Sequence, residues 1–148
     1  RCKIGFFEND SLQRVVKNIR VEEVSKYIIG EKIPHTIISS VSKGTGHLVD
    51  QIKNYSNVLL LSYQTPLPIA LNYATPETLG SDRIAASVGA FHLNPDNNSL
   101  VIDIGSCITY DVVAKEGTYE GGAISPGVEM RLKAMHSFTA RLPESSRW

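Results

Sequence analysis

Val58-Leu59-Leu60-Leu61 is a short, unbroken apolar run. It has the length of a strand and the composition of one buried on both faces of a sheet. Just before it, Leu48 to Tyr55 has helical spacing, Lys43-Gly44-Thr45-Gly46 breaks the chain, and His35 to Val41 is strand-like. Strand, helix and strand in that order argue for a mixed α/β sheet with flanking helices. Further toward the start, Lys3 to Phe7 and Leu12 to Lys17 read as strands about a Glu8-Asn9-Asp10 turn, a hairpin. Val21 to Ile29 carries apolar residues at 21, 24 and 28, with Glu22 and Glu23 between, which is helical spacing.

Beyond the apolar run, Thr65-Pro66-Leu67-Pro68-Ile69 is rigid and extended. Ser81 to Leu93 reads as a helix whose Ala85, Ala86, Gly89 and Ala90 permit close packing. Pro95-Asp96-Asn97-Asn98 turns the chain, and Leu100 to Ile104 with Ile108 to Val113 forms a hairpin about Gly105-Ser106-Cys107. Tyr119-Glu120-Gly121-Gly122 reads as another tight turn, and Gly127 to Ser137 as a last helix. The expected organisation is one domain over residues 1–95 and the start of a second over 96–148.

The 148 residues are 42% hydrophobic, enough for a core, and 15 basic side chains balance 15 acidic ones. No basic excess points to nucleic acid or a membrane surface, and no apolar run is long enough for a spanning helix. Cys2 and Cys107 do not make a disulfide framework, and no leader is evident, so the cytoplasm is the expected compartment. The four histidines lie far apart, without zinc spacing. The chain opens on Arg1 and stops at Trp148 after a polar stretch, and it reads as a piece of a longer protein.

Two stretches carry chemistry. The first is Thr75-Pro76-Glu77-Thr78-Leu79-Gly80-Ser81-Asp82-Arg83. Gly80 is expected to let the backbone turn, and Asp82 and Arg83 fall in the first turn of the next helix. A carboxylate there lies near unpaired amides and the positive end of the helix dipole, which favours its charged form. The adjacent guanidinium can grip a carboxylate or phosphate at two points. A base beside an anion clamp suits phosphorylation of a small hydroxylated acid; a plain helix cap with a surface ion pair is the alternative.

The second stretch is Val101-Ile102-Asp103-Ile104-Gly105-Ser106-Cys107-Ile108-Thr109, where Asp103 ends an apolar strand and a second strand rises to Asp111. A Gly-Ser turn lets amides approach phosphate oxygens, and Asp103 can hold a cation. An ordinary hairpin turn is the alternative. Gly121-Gly122-Ala123-Ile124-Ser125-Pro126-Gly127 opens the last helix, whose N-terminus is either an anion site or a loop with a Pro stop.

Together these pieces resemble the type III pantothenate kinases. The matching text is Thr65-Pro66-Leu67-Pro68-Ile69, Tyr73 through Arg83, Asp103-Ile104-Gly105-Ser106, the Gly121-Gly122 to Pro126-Gly127 segment and Thr139-Ala140-Arg141-Leu142-Pro143. The resemblance implies the actin-like ATPase superfamily fold on a ribonuclease-H-like core. It implies transfer of the ATP γ-phosphate to pantothenate, giving 4'-phosphopantothenate in the first step of coenzyme A synthesis. Asp82 would be the general base. Tyr73, Gly80, Ser81, Asp82 and Arg83 would contact pantothenate. Asp103 would hold a monovalent cation, K+ or NH4+, while Lys3, Gly105 and Ser106 would contact ATP, which brings Mg2+. A homodimer is implied, with no nucleic-acid or membrane partner.

The family usually has Thr at the position of Ser106. It also opens on an Asp-x-Gly-Asn-Thr phosphate loop, and Arg1 to Phe6 resembles the text just after that loop. The expectation is that the chain by itself is inactive. A regulatory relative resembling the Bvg accessory factor, or another small-molecule kinase of the same superfamily, is the alternative.

Overall fold

The computed structural model describes residues 2–41 and 45–144. It forms two compact units, Arg1–Leu61 and Ser62–Trp148. The expected break at Lys43-Gly44 and the last residues, 145–148, lie outside the described residues.

The first unit opens with strands β1 (Cys2–Glu8) and β2 (Ser11–Ile19), an antiparallel hairpin. Asn9 and Asp10 both have positive φ, 47° and 63°. That is the backbone of the two-residue turn that suits twisted hairpins, and Asn and Asp tolerate it best after Gly. Helix α1 (Val21–Gly30) follows, its first turn tied by the Glu23 carboxylate accepting the Arg20 N–H at 3.1 Å. Strand β3 (His35–Ile38) pairs in parallel with β4 (Asn57–Leu60), and helix α2 (Thr45–Ile52) lies in the crossover between them. Thr45 and Gly46 thus belong to a helix. The core is Ile19, Val24, Ile28, Leu48 and Ile52, with Ile38 and Val58 packed against it.

One expectation fails here. The run that ends in Leu61 is a strand, but it is not buried on both faces: Leu59 and Leu60 are 42% and 47% exposed. Among the described residues β4 pairs with β3 alone, and Leu59 shares the exposed face with its partner Ile37. An apolar run records what a strand can bury, not how many layers surround it.

The second unit carries a four-stranded mixed sheet in the order β5-β8-β7-β6. Strands β6 (Ser99–Ile104), β7 (Cys107–Ala114) and β8 (Thr118–Pro126) form an antiparallel meander. The two-residue β5 (Ala70–Leu71) joins β8 in parallel. A single 3₁₀ turn (Pro76–Thr78) leads into helix α3 (Ser81–Leu93), which packs on β6 and β7. Helix α4 (Val128–Phe138) follows β8, capped by Gly127. No helix among the described residues is long and apolar enough to cross a membrane.

Two further expectations are corrected in this unit. The tight turn at Tyr119-Glu120-Gly121-Gly122 is part of β8, and the chain reverses instead at Lys115-Glu116-Gly117, where Gly117 has φ 78°. Gly121, with φ 104°, lies beside the register shift between Val112 and Val113, the irregularity of a bulge. The small-residue face of α3 is also not what packs inward. The helix buries Ser81, Arg83, Ile84 and Ser87, and a methyl group on Gly89 would meet nothing within 4 Å among the described residues outside its own helix turn.

Candidate active site

Gly80 caps α3 at φ −60° and ψ 135°, an extended backbone that any residue adopts. The turn there does not depend on glycine. Asp82 stands exposed in the first turn of the helix, and one of its oxygens accepts the Arg83 N–H at 2.9 Å. Its second oxygen is left for another donor. Ser81, beside it, is buried.

Arg83 does not project beside Asp82 as an open clamp. It is only 7% exposed and turns into the sheet. Its Nε and Nη2 donate to the same oxygen, Oδ1 of Asp111 on β7, at 2.9 and 2.6 Å. The Tyr119 hydroxyl on β8 donates to that oxygen too, at 2.7 Å. Asp111 is 1% exposed, and its other oxygen, Oδ2, has no hydrogen-bond partner among the described residues. A buried carboxylate needs a charge partner, and Arg83 supplies it.

The pair reshapes the protonation of its members. Burial works against the Arg83 charge, but the hydrogen bond and charge of Asp111 outweigh it and hold the guanidinium above its ordinary value. Burial, then the hydrogen bond to Asp111 and its negative charge, push the Tyr119 phenol well up. Tyr119 is therefore a neutral donor at any ordinary pH.

Glycine at position 122 makes the pair possible. Gly122 lies opposite Asp111 in the ladder. A β-carbon there would collide with the Tyr110 carbonyl oxygen and stand 2.8 Å from Arg83 Nη2 and 2.9 Å from Asp111 Oδ1. Tyr73 completes the cluster. It follows β5, whose ladder with β8 sets it against Tyr119, ring centroids 6.0 Å apart and 60° between planes. The edge-on arrangement is a favoured one for aromatic rings.

The second stretch lies on the same sheet face. Asp111 pairs with Val101, and Asp103 is two residues along the strand, so Asp103 and Asp111 share a face. Asp103 is exposed. The Gly105 N–H donates to the Cys107 carbonyl at 2.8 Å, and the Gly127 N–H donates to the Ser106 carbonyl at 3.0 Å. A β-carbon on Gly127 would collide with the Gly105 and Ser106 backbone, so the Gly105-Ser106 turn rests on the first residue of the α4 cap. The two glycine-rich stretches thus form one corner. Arg131 braces it, donating to the Pro126 carbonyl at 2.8 Å and Ser125 Oγ at 2.9 Å. Lys3 stands on β1 in the first unit, exposed. Among the described residues no cluster of three or more His, Cys, Asp or Glu could hold a metal ion.

The roles of Asp111, Tyr119 and Gly122 do not follow from the motifs that single out Asp82 and Arg83. A signal was present. Asp111 interrupts the apolar alternation of β7, two positions from Val113 and from Thr109, where an unpaired charge would be costly.

An α/β unit that sets an exposed carboxylate at a helix start, an arginine paired into the sheet, and a Gly-Ser turn resting on a helix cap suits the handling of a small anion. The chain belongs to the type III pantothenate kinase family, whose model matches residues 3–147. It is 43% identical to the type III pantothenate kinase of Cytophaga hutchinsonii over 141 residues, which is 95% of this chain and 59% of that protein. Those of Flavobacterium psychrophilum and Christiangramia forsetii are 38% and 42% identical, over 94% and 95% of this chain and 55% and 53% of their own lengths. The chain therefore spans between half and three-fifths of these curated relatives.

Proposed function

We propose that the protein carrying this chain transfers the γ-phosphate of ATP to the hydroxyl of pantothenate, forming 4'-phosphopantothenate and ADP, the first step of coenzyme A synthesis. The observation that supports this most directly is the gathering of Tyr73 and Gly80 through Arg83 about Asp111 and Tyr119, within the region matched by the family model. Asp82 receives the hydroxyl proton through the oxygen not bonded to the Arg83 N–H. The hydroxyl oxygen bonds to the γ-phosphorus as its bond to the bridging oxygen of ADP breaks. In-line transfer of this kind depends mostly on positioning and on neutralising charge.

Arg83, Gly80, Ser81 and Tyr73 form the acceptor side of the site. The Gly105-Ser106 turn serves ATP, whose Mg2+ neutralises phosphate charge when bound. Asp103 is an exposed carboxylate near a strand end, and among the described residues no group of three or more His, Cys, Asp or Glu could hold a metal ion there. That donor set fits a monovalent cation, K+ or NH4+, completed by main-chain, water or phosphate oxygens, better than a closed divalent cage. We further propose the actin-like ATPase fold on a ribonuclease-H-like core, with its domains divided near residues 95 and 96, a cytoplasmic location, and a homodimer. The open space at Gly89 leaves the small-residue face of α3 available for a second copy, and light scattering of the full-length protein tests that.

The deciding experiment is ADP release by the full-length protein with and without pantothenate. Turnover that requires pantothenate supports the reading. Absence of turnover refutes it and leaves the regulatory relative; turnover that another acceptor supports and pantothenate does not also refutes it and leaves another small-molecule kinase.

A further inference from the structure

We infer that Asp111 and Tyr119 are positioning residues for the acceptor: they fix the Arg83 guanidinium so that its unbonded Nη1 edge meets the carboxylate of the small acid. This rests on the pantothenate reading above. Two of the three nitrogens of the guanidinium, Nε and Nη2, are held on Asp111 Oδ1, while Nη1 bonds to nothing among the described residues. A guanidinium tethered along one edge keeps its plane and presents what remains in one direction, so little freedom is lost when an anion arrives. The tether is itself fixed. The Tyr119 hydroxyl donates to the same oxygen, Asp111 is fully buried on a central strand, and the Gly122 backbone leaves no room for the cluster to slide.

Tyr119 also connects the tether to the proposed acceptor wall. Its ring takes the edge of Tyr73, so one residue holds the arginine's partner through its hydroxyl and a second acceptor contact through its ring. Because the phenol is neutral at ordinary pH, it donates without adding charge to an oxygen that already serves Arg83. A helical arginine buried merely to staple α3 to the sheet would need the same bond to Asp111. It would not make the recognition of a carboxylate depend on that bond, and the experiment separates the two cases on this point.

The test compares two acceptors in the full-length protein: pantothenate, and the alcohol in which its carboxylate is replaced by a hydroxymethyl group. Asp111→Asn should raise the KM for pantothenate by about 30-fold or more, since one partner of a buried charge pair is lost. Tyr119→Phe, which keeps the ring and so the fold, should raise it by about 3–10-fold, the scale of one hydrogen bond. In both variants the preference for pantothenate over the alcohol, as a ratio of kcat/KM values, should fall by a similar factor, while the KM for ATP stays within about 2-fold. A wild-type protein that turns over pantothenate, with variants that lose activity on both acceptors alike, overturns the inference and leaves the kinase reading standing. A wild-type protein without pantothenate turnover overturns that reading, and this inference with it. If Asp111→Asn does not fold, Tyr119→Phe decides alone.

Discussion

Replacing Gly122 by alanine adds one carbon where, of the described glycines, it would meet its neighbours most closely. That carbon would overlap the Tyr110 carbonyl oxygen and stand 2.8 and 2.9 Å from Arg83 Nη2 and Asp111 Oδ1. Backbone cannot yield cheaply, because Gly122 and Tyr110 lie on adjacent, paired strands. Overpacking a tight site costs about 1–3 kcal/mol, and separating one partner of a buried charge pair about 3–5 kcal/mol. The two costs share one displacement and do not add, so about 3–5 kcal/mol is the expected loss. For a unit of this size the unfolding midpoint should drop by at least about 12 °C. Circular dichroism on heating reads this directly. Gly121→Ala is the control: its carbon would meet only the Tyr73 ring, at 4.0 Å, so its penalty is confined to the strain of φ 104°. That variant should lose about 1–3 kcal/mol. If Gly122→Ala melts within about 3 °C of the wild type, the pair is not clamped as described and the reasoning about Arg83 falls.

The remaining predictions follow from the same unit. Asp82→Asn should lower kcat by roughly 10²–10⁴ and change the KM for pantothenate far less; a kcat within a few-fold of wild type in the full-length protein removes Asp82 as the base. Asp103→Ala should abolish the stimulation by potassium or ammonium over sodium, and equal wild-type rates in sodium and potassium refute the cation site. Tyr119 titrates in the folded protein above its ordinary value of 10.0, so its neutral form is the one that stabilises the fold. That contribution is complete below the unfolded value and is lost as pH rises through the folded one. Stability should therefore fall above about pH 10 by up to about 1.4 kcal/mol per pH unit from this residue. Urea midpoints from pH 9 to 11 should show a shallower decline in Tyr119→Phe, and parallel curves would refute the assignment.

Much of this architecture was legible in the chain, for local reasons. Asn9-Asp10 announces a hairpin because those side chains tolerate positive φ, and the structure has it there. The limits of α1 and α3 follow from apolar spacing and from the Thr75 to Gly80 stretch, and both helices begin where expected. What was not legible depends on partners distant in sequence. Gly121-Gly122 has the composition of a turn, yet one residue serves a bulge and the other a close approach set by Arg83, 39 positions earlier. Whether Leu59 and Leu60 are covered depends on layers that the run itself does not encode. Of the candidate site, Asp82 and Arg83 stood out because their types and place at a helix start carry chemistry, and Tyr73 only through the family resemblance, whereas Asp111 acquires meaning only when β7 comes under α3.

The short strand β5 has a consequence for how the acceptor wall is assembled. The ends of its short ladder with β8 are marked by two main-chain bonds, Ala70 N–H to the Gly117 carbonyl at 2.8 Å and Asn72 N–H to the Tyr119 carbonyl at 3.0 Å. A side-chain bond from Asn72 to Glu120, 48 residues away, adds to them. The β6-β7-β8 meander is closed by neighbours in sequence, while β5 must wait for β8 to exist. On a ribosome, the segment bearing Tyr73 emerges well before the strand that will receive it. Contacts between distant residues form slowly, and weakly held edges open first. We predict that the amides of Ala70 and Asn72 exchange with deuterium at least about tenfold faster than those at the centre of β7, a gap of roughly 1.4 kcal/mol in opening free energy. Equal protection would show that β5 is locked with the rest of the sheet. With the predicted gap, substrate would meet a wall whose last-docked piece is also its most readily released, and ligand that stabilises Tyr73 would register first as slowed exchange along β5.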